Sequence, residues 1–243
     1  MDNLIYINNE NLANYVMFKL DKLENGFTEE ELNQITEVVI NYKEETDSSF
    51  IFLEELLKFN NLKSITLRNG FIYDDNFSIF LNLNNLSEVV FDNCDFENAD
   101  LIASLKLKSL SLVNCNIETY SFINLLNNLE ELTVINGKVE ISKINLLNNL
   151  RYLQLSYSNI LDNELLNINT IEELYIDNTN ITNFDFINNL TSLKRLSIDE
   201  NQYKNNKELF NKLMDNNILV LNENFGGFGG DSNALWIWQK DYI

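Results

Sequence analysis

The sequence predicts an α/β solenoid: a curved parallel sheet of about eight or nine strands, a helical or 3-10 convex side, and a helical N-terminal cap. Three observations predict it. A pattern of apolar residues recurs every 21 or 22 residues over the regular stretch, and at longer spacing toward the N-terminal end. Within each copy two apolar residues alternate, as a short strand with one buried face requires. The first 34 residues lack the pattern and carry helix signals instead.

Each copy reads apolar, two variable, apolar, one variable, apolar, two variable, a small polar residue, one variable, apolar. Full copies begin at Leu62, Leu86, Leu107, Leu129, Leu150, Ile171 and Leu193. Ile35, Val38 and Ile40 start an earlier, less regular copy, and Leu219, Leu221 and Asn224 form a degenerate last one. No copy can bury its apolar face alone, so neighbours must supply the core. The pattern resembles that of the leucine-rich-repeat family, L-x-x-L-x-L-x-x-N/C-x-L. In that family the small residue after the strand is often Asn, whose amide bonds to backbone in the turns. Here that site reads Gly70, Cys94, Cys115, Gly137, Ser158, Thr179, Asn201 and Asn224, so an incomplete amide ladder is expected. Cys94 and Cys115 share the site in adjacent copies. The favoured reading is two small, buried, reduced thiols; a disulfide or metal pair is the alternative.

The N-terminal region reads as a cap. Asn11 to Leu23 has amphipathic helical spacing, Asn25-Gly26 ends it, and Thr28 to Glu31 is a capping-box signature. This arrangement, together with the segment NITNFDFINNLTSLKRLSI, resembles the internalin-like repeat proteins of Gram-positive bacteria. On the convex side, Phe50 to Phe59 has helical spacing and Asn183 to Leu190 suits a helical turn or 3-10 segment. Leu209, Phe210, Leu213 and Met214 fit one face of a terminal helix. The chain therefore divides, within one continuous domain, into a cap (1–34), repeats (35–224), and a Gly-rich hinge with a capping tail (225–243). That tail holds Trp236 and Trp238, which would either fold back on the last repeat or bind a partner.

Composition narrows the function. There is no His, so a Ser–His–Asp triad, an H-E-x-x-H zinc site and a Cys–His pair are all impossible. The net charge of −20, from 37 acidic against 17 basic residues, disfavours nucleic acid and anionic membrane surfaces. It favours a basic partner, and it would also serve solubility alone. The Gly-rich segment lacks the Lys-Ser/Thr of a P-loop. Asp74-Asp75-Asn76 lacks EF-hand spacing, though it keeps calcium conceivable. Paired acids raise the idea of sugar-bond hydrolysis, but no cleft between them is foreseen. No cofactor is expected. Met1 to Ile7 has no basic start followed by a long apolar stretch, so the expected compartment is the cytoplasm.

The resemblance to leucine-rich-repeat proteins implies that the variable strand positions face outward on the concave sheet. Acids predominate there: Glu88, Asp92, Glu131, Glu173, Asp177 and Asp199. Tyr152, Tyr157 and Tyr175 fall in adjacent copies, with Ile135 and Gln154 alongside. Tyr joins apolar area to a polar tip and is enriched at interfaces. With Trp236 and Trp238 these residues form the candidate partner-binding set. The expected protein is not an enzyme. It is a module, monomeric when free, that binds a basic protein through its concave face, as an inhibitor or immunity-type protein binds a toxin. A secreted effector or adhesin directed at a host protein, or a scaffold, is the alternative.

Overall fold

The computed structural model describes residues 4–41 and 53–222, and the backbone of residues 226 and 227. Expectations for Trp236, Trp238, Asn224 and the remaining tail lie outside the described residues, as does the start of the Phe50 to Phe59 segment. The chain forms two compact units, 1–118 and 119–243.

In the first unit the Asn9 side chain accepts from the Leu12 amide at 2.9 Å and starts a helix, Glu10–Lys19. The helix buries Leu12, Ala13 and Val16. It ends before the expected Leu23, because Leu20 closes it and Asp21 turns left-handed at φ 52°. The capping box forms as expected: Thr28 and Glu31 satisfy each other's amides at the head of Glu29–Leu32. Ile5 and Phe27 pair antiparallel, clamping the segment's two ends.

Four parallel strands follow in order: Glu37–Asn41, Ser64–Arg68, Glu88–Asp92 and Ser109–Val113. Their alternate residues Val38, Ile40, Ile65, Leu67, Val89, Phe91, Leu110 and Leu112 are buried. Fully burying each such side chain contributes roughly 1.5–3 kcal/mol. Phe91 packs edge-on against Phe96 with ring centroids 5.0 Å apart, and the Phe80 ring lies 6.4 Å from it. The convex side is a 3-10 segment Leu53–Lys58, a helix Asp74–Asn82 and a second 3-10 segment Ala99–Ser104.

The second unit repeats the plan with Glu131–Ile135, Tyr152–Gln154, Glu173–Tyr175, Arg195–Ser197 and Leu219–Asn222. Gly226–Gly227 pairs antiparallel with the last strand. Asp185–Asn189 is the 3-10 segment expected near Asn183 to Leu190, and Lys207–Asp215 is the terminal helix, with Phe210 and Leu213 buried. The last strand corrects the sequence register by one residue. Val220, not Leu219 and Leu221, sits opposite the buried Leu196, while Leu219 pairs with Arg195 and Leu221 with Ser197. Three consecutive apolar residues leave a period of two ambiguous, and pairing with the preceding strand decides it.

The turns differ from expectation in a useful way. After six of the strands one residue adopts left-handed backbone: Asn69, Asn93, Asn114, Asn136, Tyr157 and Asn178. Asn tolerates this region because its short polar side chain can bond locally. Asn93 Nδ2 donates to Asn69 Oδ1, and Asn69 Nδ2 to Asn41 Oδ1, each at 2.8 Å. An amide ladder therefore exists, one residue before the site where Asn was sought. At that site smaller groups reach the preceding repeat. The Cys94 and Cys115 thiols donate to the Leu67 and Phe91 carbonyls, and the Ser158 hydroxyl to that of Val134. Asn201 does not serve the last turn, since it lies in the helix Glu200–Asn205. Gln202 Nε2 donates to the Ile176 carbonyl instead, at 3.0 Å. Both cysteines are free.

Candidate functional site

The concave strand positions in the second unit hold a hydrogen-bonded cluster. Glu173 pairs in register with Tyr152, and Tyr175 with Gln154, so the two tyrosines are diagonal neighbours. Their ring centroids are 5.2 Å apart at 37°. The Tyr152 hydroxyl donates to Gln154 Oε1 and the Tyr175 hydroxyl to Glu173 Oε2, both at 2.9 Å. Arg195 crosses from the next strand and donates to Glu173 Oε2 at 3.0 Å and to the Tyr175 oxygen at 3.4 Å. Burial pushes the Tyr175 phenol up to about 12, with the Arg195 bond working against it. Burial, then Tyr175 and the carboxylates of Glu173 and Glu131, raise Tyr152 further. Both phenols are neutral at physiological pH and present uncharged rings.

One row along the same face lies Asp177. Its Oδ1 accepts from the Ser156 hydroxyl at 2.9 Å and the Ser197 hydroxyl at 3.0 Å. Its Oδ2 has no donor among the described residues. The neighbouring Tyr157 donates its amide to the Asp177 carbonyl at 3.1 Å.

The expected set is therefore only partly accessible. Glu88 and Glu131 are exposed, Tyr157 is 47% exposed, and Tyr152, Tyr175 and Glu173 are half-buried. Three positions need correction as solvent-facing groups: Ile135 (9%), Gln154 (6%) and Asp177 (2%). A side chain that faces outward from a strand can still be covered by its cross-strand neighbours. Gln154 is further tied down by Tyr152, and Asp177 by its two serines. Asp199 is engaged in structure. Its Oδ1 caps the helix Glu200–Asn205 through the Asn201 and Gln202 amides, and its Oδ2 accepts from the Asn178 amide at 3.1 Å. In the first unit Asp92 lies 3.5 Å from Arg68 Nε; burial raises its carboxyl above the usual value, and Arg68 opposes that. Asp74 and Asp75 form the first turn of a helix, and the Asp74 amide donates to Glu97.

Ser156 and Ser197 were not singled out from the sequence. A short hydroxyl in the same or the adjacent column on either side of an acid is the signal that would have found the serines. A convex groove of about 290 Å³ was also missed. It is lined by Ile160, Leu161, Leu165, Ile181 and Phe186 among others, where the segment after Ile160 is irregular rather than helical.

One short parallel strand per repeat, with left-handed Asn turns and apolar columns beneath, gives this chain the leucine-rich-repeat fold. Its structure resembles internalin C2 from Listeria monocytogenes: TM-score 0.61 at 23% identity, covering 84% of this chain and 94% of that one. A second likeness, to an internalin (inlF) of the same organism, has TM-score 0.53 at 23% identity and covers 88% and 74% of the respective chains. At such identities the likeness speaks to the fold alone. No protein-family model and no curated protein sequence matches the chain.

Proposed function

We propose that this protein is a non-catalytic binding module that receives a basic protein on its acidic, tyrosine-bearing concave face, and that it acts as an immunity-type inhibitor of a toxin. The observation that carries the reading is the Tyr152–Tyr175 ring contact. Two aromatic rings, held by their own hydroxyl bonds, offer contact area at low entropy cost. The carboxylates of Glu131 and Glu173 flank them, and the net charge of −20 steers cationic partners inward. A cytoplasmic, monomeric inhibitor suits a basic toxin, because many nucleic-acid-cutting proteins are themselves basic.

Affinity capture from the native organism tests this, with the triple variant Tyr152→Ala, Tyr157→Ala and Tyr175→Ala as control. The expected result is a basic partner whose affinity falls as salt rises, and whose capture is lost in the variant without unfolding. An affinity indifferent to salt, or capture retained by the variant, would sink the proposal. Export of the protein into culture medium would favour a host-directed effector instead.

A further inference from the structure

We infer that Asp177 is the seat for one lysine ammonium of the protein partner. The inference rests on the concave-face reading above and adds the chemistry of the group received. Asp177 is 2% exposed, yet no Lys or Arg pairs with it among the described residues. Arg195, the basic side chain on the adjacent strand, is turned onto Glu173 and Tyr175. A carboxylate this deep without a cation is costly unless it is matched.

The donor set selects the ligand. Oδ1 already accepts two hydroxyl bonds, from Ser156 and Ser197, and Oδ2 accepts none among the described residues. A guanidinium asks for two free, coplanar carboxylate oxygens to bind in its forked mode. Asp177 offers one. An ammonium is a compact charge that needs only one free oxygen, and Oδ2 supplies it. The depth also favours lysine, whose slender stem can deliver charge below a surface.

Insertion must displace covering side chains, and the adjoining backbone holds an unusual conformation. Tyr157, whose amide bonds to the Asp177 carbonyl, is held at φ 61° where the equivalent residue of five other repeats is Asn. A strained non-Asn residue beside an unmatched buried charge is the pairing expected at a binding site.

Titration with hexalysine, hexaornithine and hexaarginine at one ionic strength tests the seat. The three peptides carry equal side-chain charge but differ in stem length and head geometry. The wild-type protein is expected to bind hexalysine best. Asp177→Asn should weaken hexalysine by about tenfold and leave hexaarginine nearly unchanged. Equal binding of all three peptides by the wild type overturns the inference whether or not the variant folds. So does a folded Asp177→Asn protein that loses all three equally, or none. These outcomes leave the concave-face proposal standing, since that depends on capture by the tyrosine variant.

Discussion

Cys115 donates its thiol to the Phe91 carbonyl, 3.3 Å away in the preceding repeat, just as Cys94 donates to Leu67 one repeat earlier. Burial pushes the Cys94 thiol up to about 11 and the Cys115 thiol up to about 12. The thiolate is the reactive form, so both should be inert in the folded protein. At pH 8, mass spectrometry should find neither cysteine alkylated by iodoacetamide until denaturant is added. Rapid native labelling of either would contradict their placement. Cys115→Ser should cost less than Cys115→Val, because a hydroxyl keeps the bond and leaving a buried carbonyl unmet costs about 1–3 kcal/mol.

Gly137 is required by its neighbours. A Cβ there would stand 2.3 Å from Val134 Cγ1 and 2.8 Å from the Tyr120 hydroxyl, while the Gly137 amide is anchored to Ser158 Oγ. Gly137→Ala should destabilise the protein by about 1–3 kcal/mol, the usual cost of overpacking. Adding Val134→Ala removes the closest clash, so the double variant should lose less than the sum of the two single losses. Additive losses in urea melts would show that the clash is relieved by some other movement.

The repeat columns were legible because their chemistry is forced: Leu153 and Leu155 face a core that admits only apolar groups. Depth within the concave face was not legible. Glu131 and Asp177 look alike in the sequence, yet one is exposed and the other 2% exposed. What separates them is the pair of serines 21 and 20 residues away that bond to Asp177. The amide ladder was overlooked for a related reason. Asn sits at the left-handed position, where its backbone tolerance matters, and thiols and hydroxyls suffice one residue later. In the last strand, Leu219, Val220 and Leu221 carry no alternation to read, so only the ladder to Arg195–Ser197 fixes the register.

Glu55 ties the N-terminal segment to the first convex turn. Its two carboxylate oxygens accept from the Asn8 and Asn9 amides, each at 2.8 Å, and Lys58 lies 2.6 Å away. Burial acts to raise its pKa, but Lys58 and the two amides outweigh it and hold the carboxyl below the ordinary 4.5. A depressed folded value means that the stabilisation is complete above the unfolded value and is lost as pH falls through the folded one. Stability should thus drop below about pH 4.5. Glu55→Gln should remove part of that acid sensitivity and cost about 1–3 kcal/mol at pH 7. Hydrogen exchange at Asn8 and Asn9 should accelerate in the variant; unchanged exchange there would show that the clamp is not holding.

Tyr157 is where stability and binding should part company. Left-handed backbone costs an ordinary residue about 1–2 kcal/mol, and Asn pays less of it. The Tyr157 ring is 47% exposed, so the fold gains little from burying it. Tyr157→Asn gives this turn the residue that Asn69, Asn93, Asn114, Asn136 and Asn178 already use. It should raise stability by roughly 0.5–1 kcal/mol, a melting point higher by about 1–4 °C. The same change should weaken partner binding, since it removes an exposed aromatic from the face. A variant that melts lower, or that melts higher and binds as well as the wild type, would mean that the strained tyrosine is not kept for recognition.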